Sequence, residues 1–335
     1  MTRLVVHAGT HATDWAAIQH QLVSWRQPLD RLGVRLHPAD DAEAWLSGVY
    51  DVVDPTVSPP LADACRAAVD AGANLVLLSS ENLEDSLRDP AQLANLAAFA
   101  RDLEMALTVV VVVRDQLGYL NELYCDRITH LQMARDFPSF SADPSPGERF
   151  DYGAAFGPLI EAPDIDFIAV PYVELRPGAQ AKPLLTASGL TVEDVAALPE
   201  RGGSQTLPGP VVVAATRLLF KRLWRLGLLT SIPRSRLIHA AEALSEHGEE
   251  LAWDHGPHWG WDLSAGEAAI AHYAPGNDVL ARAVWGRPWG DAWESGEYVD
   301  IDLPASDPGL VVDVMATVDR IVKSLQAAKA AVVSD

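Results

Sequence analysis

Arg3-Leu4-Val5-Val6-His7-Ala8-Gly9-Thr10-His11-Ala12-Thr13-Asp14-Trp15 is the stretch on which the fold turns. Its first half, Arg3 to Ala8, is rich in Val and Leu and barely alternates, as expected of a strand buried on both faces. Gly9 to Asp14 reads as a loop. From Trp15 the apolar residues fall at Trp15, Ile18, Leu22, Trp25, Leu29 and Leu32, the steps of three and four that mark an amphipathic helix. Pro28 is expected to kink that helix or end it early. A buried strand, a short loop and an amphipathic helix make up the opening unit of a parallel α/β fold.

The same alternation continues down the chain. Gly33 closes the helix, and Val34 to Leu36 reads as a short strand. Leu61 to Ala71 is helical, and Asn74 to Leu78 is a second buried strand that runs into Ser79-Ser80-Glu81. Ala91 to Leu103 is helical again, and Thr108 to Val113 is the strongest strand, β-branched and central. Arg114 follows at its carboxyl end, then a helix over Tyr119 to Met133 and a strand over Asp166 to Val170. Arg176 to Gly209 is loop-rich. Helices are expected near Val211 to Leu226, Arg234 to Glu246, Ala265 to Tyr273 and Gly309 to Val332. The fold class is therefore α/β: a three-layer α/β/α arrangement around a mainly parallel sheet, with a helical C-terminal part. A single domain over residues 1–335 is expected, its core at about 1–175 and a substrate-side region at about 176–335. In such sheets a ligand binds at the carboxyl ends of the strands.

Composition narrows the function. With 49% hydrophobic residues, the 335-residue chain can bury a substantial core. A formal net charge of −21 argues against nucleic acid or anionic membrane as a partner, since both need clustered Lys and Arg. Lysine occurs only at Lys182, Lys221, Lys323 and Lys329. Two cysteines, Cys65 and Cys125, do not make a disulfide framework, and the N-terminus runs straight into a strand without a signal-peptide pattern. The run Thr108 to Val113 is far too short to span a bilayer. A cytoplasmic protein is the expectation.

Three segments that converge at the strand ends resemble one family. His7-Ala8-Gly9-Thr10-His11-Ala12-Thr13-Asp14-Trp15-Ala16-Ala17-Ile18-Gln19 is similar to H-x-G-T-H-K-T-G-T-T-S-I-Q, the opening of bacterial sulfotransferases that use 3′-phosphoadenosine-5′-phosphosulfate (PAPS). Leu77-Leu78-Ser79-Ser80-Glu81 resembles that family's S-S-E segment, and Arg114 to Tyr124 its 3′-phosphate motif. Phe150-Asp151-Tyr152, Val170-Pro171-Tyr172-Val173-Glu174 and Ala274-Pro275-Gly276-Asn277 resemble weaker landmarks, in the family's order. The resemblance implies a sulfotransferase or P-loop type of fold. It also implies a cofactor site built from Gly9, Thr10, Thr13 and Arg114, with Glu81 as general base and His11 beside it.

Departures from the pattern bear on the cofactor. Such a loop holds an anion with backbone N–H groups, a helix N-terminus and a Lys. Here the Lys position is Ala12, the small Gly is Asp14, and the Thr pair is Trp15-Ala16. A Ser of the 3′-phosphate motif is Glu122. One cation lost and two carboxylates gained oppose PAPS. Two classes of function follow: a diverged sulfotransferase relative that modifies a small molecule, with a weakened cofactor site or repurposed chemistry, or a non-catalytic binding or regulatory protein on the same scaffold.

Several residues carry two readings. Glu81 is a general base or a structural carboxylate that caps a helix or pairs with Arg114. His11 binds an anion, acts as a base or ligates a metal, or is merely bonded to a backbone carbonyl. His7 is read as core. In Trp253-Asp254-His255-Gly256-Pro257-His258-Trp259-Gly260-Trp261-Asp262, the spacing of His255 and His258 is interrupted by Gly-Pro, so no metal is expected. His255, His258, Trp259 and Trp261 are expected to form an aromatic wall for a substrate; the alternative is packing of that loop onto the core.

Overall fold

The computed structural model describes residues 1–9, 15–37, 59–80, 83, 87–143, 150–200, 207–290, 293–298 and 307–334. Its sheet is five-stranded: β1 (Arg3–Gly9), β2 (Val34–His37), β3 (Leu75–Ser80), β4 (Ala106–Val113) and β5 (Ile165–Pro171), in the order β2-β3-β1-β4-β5. Every pairing in it is parallel. The helices of the N-terminal half are α1 (Trp15–Ser24), α2 (Arg26–Arg31), α3 (Pro59–Asp70), α4 (Pro90–Asp102), α5 (Gln116–Thr129), α6 (Phe137–Ser141), α7 (Tyr152–Ala155) and α8 (Gly157–Glu161). After β5 come α9 (Ala181–Ala187), α10 (Val192–Ala196), α11 (Pro210–Arg225), α12 (Arg234–Glu250), α13 (Leu263–Trp285) and α14 (Pro308–Ser334).

The chain divides into two compact units, each built from three chain segments. The first is Met1–Gln116, Pro146–Gln205 and Ile270–Trp293; the second is Leu117–Ser145, Thr206–Ala269 and Glu294–Asp335. This division interleaves the chain.

In the first unit, handedness sorts the helices. The link from β1 to β2 runs one way along the sheet, and the links to β3, β4 and β5 run the other way. Right-handed crossovers then send α1 and α2 to one face and α3, α4, α7 and α8 to the opposite face. The packing agrees. Val5, Leu77 and Val112 meet Ile18, Leu22 and Trp25 on one side, together with Leu184 of α9. Leu4, Val6 and Val109 meet Leu61, Leu93 and Leu159 on the other, together with Leu280 of α13. The result is the three-layer α/β/α sandwich, with β4 buried along nearly its whole length.

Local chemistry sets the boundaries. The helix expected from Trp15 breaks after Ser24, four residues before Pro28, where the ring of Pro28 would strike the Ser24 carbonyl. Gly33 sits at φ +77, a left-handed turn into β2, and a Cβ there would lie 2.7 Å from the amide nitrogen of Asn74. The helix expected at Ala265 to Tyr273 runs on to Trp285 through Pro275. The lost backbone hydrogen bond is outweighed by what lies beyond it: Asn277, Leu280 and Ala281 are all fully buried.

In the second unit, α11, α12 and α14 bury Val212, Leu219, Leu237, Leu244 and Val318 against one another. Gly209, the residue before α11, has no side chain to cap the helix. Asp254 does so instead, accepting from the N–H groups of Val211 at 2.8 Å and Val212 at 3.1 Å. Asn121 of α5 clamps the next segment twice: its amide donates to the His258 carbonyl at 2.8 Å and accepts from the Gly260 N–H at 2.9 Å. This contact draws Gly260 onto the Phe137 ring, where a Cβ would meet ring carbon at 2.2 Å. Gly260→Ala is therefore expected to destabilise the protein by about 1–3 kcal/mol through overpacking. Urea denaturation measures this, and an unchanged midpoint would show that the segment can move off Phe137.

Candidate functional site

The register brings four strand ends to one level. Ala8 pairs with Ser80 and with Val111, Gly9 with Val112, and Val113 with Pro171. β1 and β4 are neighbours, yet the chain leaves β1 toward β2 and leaves β4 toward β5. Adjacent strands whose connections diverge define the switch point of a parallel sheet, where a ligand crevice opens. Gly9 ends one of these strands, and Arg114 directly follows the other.

Arg114 is held on two sides. The Tyr152 hydroxyl donates to its backbone carbonyl. Its guanidinium lies 4.2 Å from the centroid of the Tyr172 ring, a cation–π contact that keeps the charge at the sheet edge. The side chain is buried, as is Asp115 beside it. Gln116 then forms a reciprocal amide pair with Asn277, at 2.7 and 2.8 Å, and also donates to the Phe150 carbonyl at 2.7 Å. The end of β4 is thereby tied to the landmark segments at Phe150 and Asn277.

A second buried polar group lies between β1 and β3. Nδ1 of His7 is 2.8 Å from the Ser79 hydroxyl, and Gln19 of α1 donates to the Ser79 carbonyl at 3.0 Å. Among the described residues, Nε2 of His7 and the amide oxygen of Gln19 have no partner. Burial lowers the His7 pKa to about 4, so the ring is neutral near pH 7.

The other residues singled out by sequence divide into three groups. Thr10, His11, Ala12, Thr13, Asp14 and Glu81 lie outside the described residues. Glu122 is half-buried on α5, in the second unit. Of the expected aromatic wall, only His255 is exposed. His258, Trp259 and Trp261 are buried in the second unit, as loop packing onto a core requires. Trp261 donates to the Leu117 carbonyl at 2.9 Å and meets Phe137 edge-to-face at 4.9 Å. His258 is enclosed by Tyr124 and Phe137, at centroid distances of 5.5 and 6.2 Å, and neither ring nitrogen has a partner. Its pKa is lowered to about 4, by burial first and by nearby Arg217 second.

Sequence reasoning did not single out Tyr172 as the support of Arg114, nor the pairing of Gln116 with Asn277. Both lay within quoted segments, but a contact across 161 residues leaves no local signal. Among the described residues, no group of three or more His, Cys, Asp or Glu is placed to hold a metal ion, and no helix is long and apolar enough to cross a membrane. Compared with known proteins, the chain matches no family model, no curated protein and no solved structure.

The two lowered histidines predict an acid-sensitive fold. Above about pH 6.5 both rings are neutral whether folded or unfolded, and they contribute no slope. As the pH falls from 6.5 to about 4, the unfolded chain takes up a proton at each ring that the folded chain refuses, so stability is lost. Below about 4 the slope ends. His258→Phe should remove its share, making the variant gain about 3 kcal/mol relative to the parent between pH 7 and pH 4. Denaturant titrations at both pH values measure the difference; a pH-independent difference would mean that His258 titrates alike in both states.

Proposed function

We propose that the protein is a diverged enzyme of the sulfotransferase type, modifying a small molecule such as a glycan or secondary metabolite at the carboxyl edge of the sheet. The observation that supports this most is the position of Arg114, a buried cation beside the switch point of an all-parallel sheet. In this reading Arg114 meets an anionic group of the ligand. Gly9, Thr10 and Thr13 line its loop, Glu81 accepts the proton of the acceptor hydroxyl, and His11 assists. The net charge of −21 argues against nucleic acid or anionic membrane as the partner.

PAPS itself fits this site poorly. Ala12 supplies no cation, and Asp14 and Glu122 are carboxylates where the resemblance calls for Gly and Ser. A helix N-terminus after the loop contributes only about 0.3–1 kcal/mol in an exposed setting. Each charged hydrogen bond lost is worth roughly 1.5–3 kcal/mol. The same three residues favour the second reading, a non-catalytic binding or regulatory protein.

Calorimetric titration with 3′-phosphoadenosine-5′-phosphate tests the site. The parent chain is expected to bind weakly or not at all. The combined change Ala12→Lys, Asp14→Gly, Trp15→Thr, Ala16→Thr should recover affinity, and adding Arg114→Ala should abolish the gain. A repaired loop that still binds nothing would count against the sulfotransferase reading. Micromolar binding by the parent would instead restore PAPS as the cofactor. In any turnover assay, Glu81→Gln should remove activity while leaving the melting temperature unchanged; full activity would make Glu81 structural.

A further inference from the structure

Beside β5, the edge strand of the sheet, lies a cavity of about 1170 Å³. It is formed entirely within the first unit, between the free side of β5, the helices α9 and α10, and the end of α13. Its volume exceeds the roughly 300–1,000 Å³ of ordinary ligand pockets. Ile168, Val170, Pro183 and Val195 give it an apolar lining, and Trp285 adds an aromatic surface.

The rim is unusual for so acidic a chain. Arg176, Lys182 and Arg287 border the cavity, and among the described residues two carboxylates, Glu174 and Glu200, line it with them. Lys182 is one of four lysines in the sequence. Some arginines elsewhere pair with carboxylates: Arg35 with Asp30, Arg101 with Asp164 and Arg135 with Asp143. Among the described residues, none of the three rim cations forms an ion pair. Arg287 is instead positioned over Trp285, 5.6 Å from a ring centroid. Cations gathered around apolar surface, and left without carboxylate partners, suit a ligand that is anionic at one end and apolar at the other.

An extended peptide pairing with the β5 edge is the competing occupant, and the edge is closed to it. The Trp285 indole donates to the Ala169 carbonyl at 2.8 Å. Pro171, at the end of the strand, has no N–H to offer. A ladder of main-chain hydrogen bonds cannot form along β5, so the cavity suits a small molecule.

We propose that this cavity binds an amphipathic organic anion, a flat apolar body carrying a carboxylate or sulfonate. The body lies against Trp285 and the aliphatic lining, and the head meets Lys182 with Arg176 and Arg287. The site stands apart from the carboxyl-edge reading and does not depend on it.

The test is calorimetric titration of the full chain with 1-naphthalenesulfonate and with its neutral counterpart 1-naphthalenemethanol, at 0.15 M salt. The sulfonate is expected to bind at least about tenfold more tightly than the alcohol, a difference of roughly 1.4 kcal/mol. Lys182→Ala should remove most of that preference while leaving the alcohol unaffected. Ala196→Trp, on the exposed lining face of α10, should fill the cavity and abolish binding of both compounds. Thr186→Trp on α9 serves the same end if Ala196→Trp fails to fold. The proposal is overturned if the parent binds neither compound, if it binds both equally, or if sulfonate binding survives a folded cavity-filling variant.

Discussion

In an all-parallel sheet no strand can return by a tight turn, so every link must cross a face of the sheet. Crossovers are right-handed, and the direction of each link therefore decides which face its helix covers. From the order β2-β3-β1-β4-β5 follow the two apolar layers, the divergence of the chain after β1 and β4, and the gap between those strand ends. Arg114 acquires its position from this topology rather than from its immediate neighbours in sequence. The same order leaves β5 as an edge, and an open edge is a template for pairing with another chain unless it is blocked. Trp285 and Pro171 block it, and a cavity lies beside them.

The polar groups buried around the strand ends are mostly neutral. Gln116 pairs with Asn277, and Gln21 with Gln180. The side-chain amide oxygen of Gln21 also accepts from the Ala181 N–H at 2.9 Å, fixing the start of α9. His7 and Ser79 complete the set as an imidazole and a hydroxyl. Neutral partners avoid the desolvation penalty of burying two charges, which can exceed their attraction. The cost appears elsewhere, as acceptors and donors left unmatched on His7 and Gln19. Against this background a buried guanidinium such as Arg114 stands out, with the aromatic face of Tyr172 beneath it.

The sheet was legible because burial on both faces produces unmistakable strands, such as Thr108 to Val113, and because a single amphipathic stripe from Ile18 to Leu29 marks a covering helix. The expected and observed strands differ by one or two residues at their ends. The division of the chain was not legible. Residues of α5 and α6 carry the same polar and apolar periodicity whichever body they pack into, so the segment 117–145 gives no local sign that it belongs with 206–269. The stretch around Trp259 was opaque for a related reason. Clustered tryptophans serve a ligand wall or a packed loop equally well, and the clamp on this loop comes from Asn121, 139 residues away from Gly260. The candidate site was half legible: Arg114 could be placed at a strand end, but not on Tyr172. Lys182 was visible as a rare lysine in the sequence, while its cavity was not, because that cavity is assembled from β5, α9, α10 and the end of α13.

Overall charge and local charge act on different length scales in this protein. A net charge of −21 repels any anion at a distance, whereas Arg114 or the cations near Lys182 attract it only close by. At 0.01 M salt the screening length is about 30 Å, and the whole molecule's repulsion reaches an approaching ligand. At 0.15 M it falls to about 8 Å, less than the breadth of the molecule but greater than a hydrogen bond. Added salt therefore weakens the long-range repulsion before it weakens the contacts at the rim. An anion that binds through these local cations should show affinity that rises, or holds level, from low salt to physiological salt before declining. An anion attracted without a formed site has no short-range contact to preserve. The sign of the initial salt dependence thus reports which of the two scales, whole-molecule repulsion or local attraction, dominates an anion's approach in a chain of this charge.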